Sequence, residues 1–466
     1  MWLATLVSLL TAAAARSEVT RSLENNTIYY RILVDSFKDS DGDGLGDLQG
    51  VTKQLSYVRA LGADAVILSP ILARSTDCSQ PGTLHFTEID SRYGNEESFN
   101  NLVQKAKKLE LKLLVTLPLQ TVSITSDWFN LSANRTTGFE DFVHWRDGNK
   151  NDPPLVDDNI GTWVWDDKRN GYYRSLNNAS FLNLCSETIA AAFKTIMCYW
   201  TKLDVAGFLL KPDYPISYEC GIELVQRISV HAASCSRDAN GDTPIILVDT
   251  KANISVAMRY YGEGSPGANS VISNALTSSS RKTAPDLALD IHAALLYGPQ
   301  DTTPAWLTSS HEDSRIVSRL GSDMVDAINM LSLILPGATI IQQGDELAAA
   351  DTLLEWATQT KCWPNPMIPS AAPFPWDDSV SGGFTTAEAW VPLAPNYRYA
   401  NAKTEYGNEL SHLGVVRVLA DTKKNTVGFH TEIKRLNDVL AVLRWGGPAS
   451  VIVVSNIGPK SSESQL

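Results

Sequence analysis

Two rhythms of apolar and polar positions alternate along the 466 residues. Short runs rich in β-branched and other apolar residues predict strands at 28–34, 65–69, 111–117, 205–210, 245–249, 270–273, 306–309 and 339–343. Amphipathic stretches separate them, and strand alternating with helix predicts βα units around a parallel sheet. Two segments break the rhythm. Residues 121–186, aromatic and rich in Asn and Asp, are too long for a plain connection and predict an insert with its own fold or a binding role. Residues 425–458 carry β-like runs at 439–443 and 451–454, and the chain stops soon after, at Leu466. That is either an abbreviated β module or a truncated product, and a missing strand would leave a bare sheet edge.

Composition narrows the class. A chain of this length with 44% hydrophobic residues buries a large core and has room for an eight-stranded barrel, which takes about 250 residues before insertions. The net charge of −13 excludes nucleic acid as a partner, because no basic stripe offsets the repulsion. Residues 2–15 form an apolar run followed by small residues and Ser17-Glu18, the core of a cleaved signal peptide, though without a basic leading segment. The run is shorter than the roughly 20 residues of a spanning helix, so secretion is expected and a membrane span is not. Sequons at Asn25, Asn130, Asn134, Asn178 and Asn253 agree with an extracellular glycoprotein. Six cysteines permit up to three disulfides in an oxidising compartment, or several buried thiols, and none has a metal-ligand spacing.

The most specific motif is Ser36-Phe37-Lys38-Asp39-Ser40-Asp41-Gly42-Asp43-Gly44-Leu45-Gly46-Asp47-Leu48. It is similar to the SFxDSDGDGIGDL signature of maltases in the α-amylase superfamily, glycoside hydrolase family 13. Gly62-Ala63-Asp64-Ala65-Val66, Arg92-Tyr93-Gly94, Trp165-Asp166-Asp167-Lys168-Arg169-Asn170-Gly171-Tyr172-Tyr173, Gln343-Gly344-Asp345-Glu346 and Pro373-Phe374-Pro375-Trp376-Asp377 extend the resemblance in family order over nearly the whole chain. The resemblance implies a TIM (β/α)8 barrel with an inserted B domain after strand 3 and an incomplete C-terminal β domain. It divides the chain into a signal peptide (1–18), barrel (19–120), B domain (121–186), barrel (187–425) and partial β domain (426–466).

The resemblance also locates the catalytic positions, and there the chain departs from the pattern. A retaining glycosidase needs a nucleophilic carboxylate and an acid/base carboxylate about 5–5.5 Å apart. The stretch Val205-Ala206-Gly207-Phe208-Leu209-Leu210-Lys211-Pro212-Asp213 resembles the GFRxDAV strand, with Leu209 in place of the arginine and Lys211 in place of the nucleophile. An ammonium about 4 Å from a developing cation repels it by about 4 kcal/mol at a dielectric near 20, where a carboxylate attracts it equally. The swing of roughly 8 kcal/mol is nearly six decades of rate. Asp213, two positions on, is the nearest substitute and lies past the strand end.

The proton donor falls on Asp249, one methylene short of the family glutamate, with Lys251 nearby favouring the ionised form. Ser310-His311-Glu312-Asp313-Ser314-Arg315 resembles NHDNSR, which places Glu312 at the stabilising aspartate and keeps His311 and Arg315 as substrate-binding positions or as a rim cluster. The sugar clamps DFVPNH and Tyr-Asp read Val115-Thr116-Leu117-Pro118-Leu119-Gln120 and Pro81-Gly82, apolar where hydroxyls need polar partners. What is kept is the calcium loop: Asp39, Asp41, Asp43, the Leu45 carbonyl and Asp47 supply hard oxygen ligands on a glycine-tightened turn, so a structural Ca²⁺ is expected. Three functions follow from the resemblance: a secreted α-glucosidase-like protein that has lost hydrolysis and binds an α-glucoside or a protein partner, a weakly active α-glucosidase, or an ectodomain like the heavy chains of amino-acid transporters.

Overall fold

The computed structural model describes residues 26–150, 160–237, 243–262, 266–277, 282–299, 302–310, 312–357, 367–425, 428 and 430–458. The expected signal peptide and the Asn25 sequon lie outside them. Eight strands, β1 (Ile28–Ile32), β2 (Ala65–Leu68), β3 (Lys112–Pro118), β4 (Gly207–Lys211), β5 (Ile245–Val248), β6 (Ser270–Ser273), β7 (Ala305–Leu307) and β8 (Ala338–Gln342), close into a barrel. Every pairing is parallel and follows chain order, with β1 beside both β2 and β8. Each strand falls where the apolar runs predict it. β1 ends earlier than expected because Val34–Ser36 wind into a 3-10 turn.

The period-2 pattern sorts side chains to the two sides of the wall. Tyr29, Ala65, Ile67, Leu114, Leu209, Leu247, Ile272, Ala305, Leu307, Ala338 and Ile340 point inward and form one buried cluster that fills the barrel. Their neighbours, such as Tyr30, Val66, Val115, Phe208 and Val248, pack outward under the helices. At Gly207 an added Cβ would lie 2.4 Å from the Ile245 carbonyl oxygen, so β4 and β5 meet this closely only with glycine there.

The main helices are α1 (Leu48–Ala60), α2 (Glu96–Lys108), α3 (Glu187–Lys202), α4 (Tyr218–Arg237), α5 (Ala284–Leu296), α6 (Val325–Ile334) and α7 (His412–Asn425). Disulfides Cys185–Cys220 and Cys198–Cys235 join the α3 and α4 segments, which flank β4 in the chain. Closing loops of 35 and 37 residues, each removes about 4 kcal/mol of unfolded-chain entropy in the loop-closure picture. Cys78 is also disulfide-bonded, and no cysteine among the described residues is free.

Between β3 and α3 stands an antiparallel sheet of Thr121–Ser123, Trp145–Arg146, Thr162–Asp166, Gly171–Leu176 and Ala179–Phe181, with a short helix at Asp127–Ala133. This is the insert the aromatic, Asn-rich segment predicts. After α7, β9 (His430–Leu436), β10 (Val439–Trp445) and β11 (Val451–Asn456) form an antiparallel sheet. Leu440, Val442, Val453 and Ile457 share a core with Ile291 of α5 and Ile328, Leu331 and Ile334 of α6. Among the described residues no helix is long and apolar enough to cross a membrane.

Candidate active site

The alternation that puts Leu209 inside the barrel carries Lys211, two residues on, to its mouth, and does the same for Arg31 after Tyr29 and Asp249 after Leu247. Lys211 ends β4 and registers against Pro118 of β3. Its Nζ donates to Oε1 of Glu312. The other Glu312 oxygen pairs with Nζ of Lys251, 3.0 Å away. A tight turn aims Glu312: the Ser310 hydroxyl accepts the N–H groups of Glu312 (3.1 Å) and Asp313 (3.2 Å) and donates to the Asp313 carboxylate (2.6 Å). Burial would raise the Glu312 carboxyl, but Lys211 and then Lys251 outweigh it and hold the group at about 2.

Below this bridge lies a second. Arg31 Nη2 pairs with Asp249 Oδ2 at 3.2 Å, and both side chains are buried. β1 and β5 stand on opposite walls, so the pair crosses the lumen above the apolar cluster. Sequence reasoning passes over Arg31. The available signal is a lone charge on the inward side of the apolar run Ile28-Tyr29-Tyr30-Arg31-Ile32.

The remaining positions sort as follows. Lys251, read from sequence as a neighbour of Asp249, pairs with Glu312 instead. Asp213 Oδ1 accepts from the Thr250 hydroxyl (2.6 Å) and from the Lys251 N–H (3.0 Å), which ties it to the loop after β5. Burial pushes its carboxyl up, and Asp249 adds to that. Arg315 is 2% exposed and spends its guanidinium on the carbonyls of Gln343 (2.6 Å), Ser370 (3.2 Å) and Ala372 (3.2 Å). These are backbone contacts, and Asp313 meanwhile accepts from Ser310. His311 lies outside the described residues. At the clamp positions, Leu117 and Leu119 are fully buried.

Chemically, the mouth holds two ammonium groups, Lys211 and Lys251, on one carboxylate. Asp249 and Glu312 are each committed to cations. A carboxylate bridged to a guanidinium or to two ammonium groups is a poor proton donor and has few lone pairs left for a substrate.

The acidic loop follows β1. Carboxylate oxygens of Asp39, Asp41 and Asp43 come within 4.8 Å of one another. Asp39 accepts the N–H groups of Asp41 (3.0 Å), Gly42 (2.7 Å) and Gly44 (2.9 Å) and the Thr385 hydroxyl. Gly44 has φ +94°, and a Cβ there would meet the Glu388 carbonyl oxygen at 2.2 Å, so the turn needs glycine. Burial, followed by repulsion from Asp43, Asp47 and Asp39, raises the Asp41 carboxyl. Asp47 caps α1 through the Gly50 N–H (2.7 Å) and holds the Ser40 N–H (2.6 Å), which leaves it turned toward the helix. Of the sequons, Asn134, Asn178 and Asn253 are exposed, while Asn130 is half-buried with its amide on the Ser126 carbonyl at 3.0 Å.

Comparison with known proteins agrees with the barrel fold. Residues 31–213 and 271–430 match the catalytic domain of alpha amylase. Maltase 1 of Drosophila virilis is 28% identical over 516 residues, spanning 96% of this chain and 81% of that protein. The alpha-glucosidase of Apis mellifera is 25% identical over 467 residues, 90% of this chain and 82% of that one. Among solved structures, the alpha-glucosyl transfer enzyme XgtA superposes with a TM-score of 0.81 at 21% identity, covering 93% of this chain and 91% of its own.

Proposed function

Since this chain belongs to the alpha-amylase family, whose maltase and alpha-glucosidase members it resembles at 25–28% identity, we propose that it is an α-glucosidase-like protein that has lost glycoside hydrolysis. The ion pair of Lys211 with Glu312 is the observation that carries this reading. A positive charge stands at the nucleophile position, and the acid that would stabilise an oxocarbenium-like transition state is spent neutralising it. Arg31 does the same to Asp249 at the proton-donor position. The remaining role is binding, of a sugar or a protein, at the barrel mouth or the surrounding surface.

The same proposal includes a secreted, glycosylated protein. The relatives that support it include the salivary alpha-glucosidases of Aedes aegypti and Anopheles gambiae. A structural Ca²⁺ would be held by Asp39, Asp41 and Asp43 with the Leu45 carbonyl, whose convergence and mutual repulsion suit a hard cation. Asp47 fits that set less well, because it caps α1. The cation would screen that repulsion and pin the loop ahead of α1.

The purified protein should release no glucose from maltose and no chromophore from a nitrophenyl α-glucoside above the buffer blank; robust release would overturn the reading. The weakly active α-glucosidase is the second reading, favoured by the similarity to named hydrolases over most of the chain. The transporter heavy-chain reading has no such relative among the compared proteins described above and is not pursued.

A further inference from the structure

Resting on the reading of a silent barrel, we propose that the mouth binds a small carboxylate-bearing sugar in the two-lysine clamp that Glu312 fills. Lys211 from the end of β4 and Lys251 from the loop after β5 converge on one carboxylate, one ammonium to each oxygen. Such a clamp is selective for a carboxylate whether that group is tethered or free. Glu312 behaves as a built-in occupant: its side chain is 43% exposed, on a loop rather than a strand, and the Lys251 side chain is 64% exposed. The Glu312 side chain is reachable from solvent, so an incoming acid competes with it for the same two ammonium groups.

Arg31 gives independent support. It is 1% exposed, one nitrogen pairs with Asp249, and its Nε and Nη1 have no hydrogen-bond partner. Buried guanidinium donors without acceptors cost free energy, which hydroxyl or ring oxygens of a ligand in the mouth would recover. Among the other acids in this cluster, Asp213 is held by Thr250 and the Lys251 backbone and Asp313 by Ser310, so neither competes for the clamp. The ligand class is therefore a monosaccharide that carries a carboxylate, its acid on the lysines and its hydroxyls toward Arg31.

Calorimetric titration with D-glucuronate, and with D-glucose as the neutral control, tests this. Removing the tethered competitor in Glu312→Gln should tighten glucuronate binding at least about tenfold over the unsubstituted protein, because the competent state no longer has to be freed first. Adding Lys211→Met or Lys251→Met to that variant should abolish it, and glucose should not bind. Unchanged affinity in Glu312→Gln, indifference to either lysine substitution, or glucose binding as tight as glucuronate would each overturn the inference. Thermal melts of every variant separate lost binding from lost folding. Turnover of α-glucosides by the same samples would overturn the silent-barrel reading instead, so the two failures are distinguishable.

Discussion

Asp249, which follows β5, gives its carboxylate to Arg31 of β1, and this 3.2 Å contact ties opposite walls of the barrel together across the lumen. Both partners are buried, so neither is replaceable alone. Truncating one member of a buried pair strands the other charge and costs about 3–5 kcal/mol, while an apolar replacement of both is often neutral. Asp249→Ala should therefore lower unfolding stability by roughly that amount, and Arg31→Met with Asp249→Leu should recover most of it. Urea unfolding of the three proteins decides, and equal stability of Asp249→Ala and the parent would refute the brace.

Lys211→Asp alone is not expected to confer hydrolysis. In Lys211→Asp the new carboxylate faces Glu312 without its former partner, Asp249 stays on Arg31, and the buried Leu119 offers no polar group to a sugar hydroxyl. We expect no chromophore release from nitrophenyl α-glucoside by this variant. Measurable turnover would mean that one residue, not an eroded pocket, silences the barrel.

Acid should expose the clamp. The Glu312 carboxyl titrates at about 2 in the fold against an ordinary 4.5, so its stabilisation is complete above pH 4.5 and is lost as pH falls from there toward 2. The parent protein should lose melting temperature relative to Glu312→Gln over that window. Parallel melting curves for the two from pH 5 to 2.5 would show that the lysines do not hold it.

Calcium should stabilise the Asp39–Asp43 loop. Chelation with EDTA is expected to lower the melting temperature and added Ca²⁺ to restore it, and Asp41→Asn should blunt both responses. Identical melting with and without chelator would favour a turn held by its own hydrogen bonds alone, of which Asp39 already accepts several.

Much of this architecture is legible in the chain because short runs apolar on both faces, set between amphipathic stretches, mark all eight strands from Ile28 to Gln342. The alternation of side chains along each strand brings Lys211 and Asp249 to one mouth, and the Ser310 turn brings Glu312 to them. Partner choice is another matter. Lys251 selects Glu312 over Asp249, and Arg31 selects Asp249 from 218 residues away, because loop paths and barrel diameter fix those distances. Arg315, a basic residue in a catalytic-looking motif, serves three backbone carbonyls, which its motif does not reveal. The two disulfides between α3 and α4 are likewise undetermined by spacing alone and follow from the parallel run of these helices, with Cys185 and Cys220 near the two starts and Cys198 and Cys235 near the two ends.

The terminal sheet is not a free-standing appendage. Arg444 of β10 reaches the last turn of α6 through the Ile334 carbonyl at 2.7 Å, and Leu440 and Val442 seal the apolar flank that α5 and α6 present. A version of this chain cut ahead of His430 would leave Ile291, Ile328 and Leu331 facing water, and would be prone to clump rather than stand as a smaller barrel.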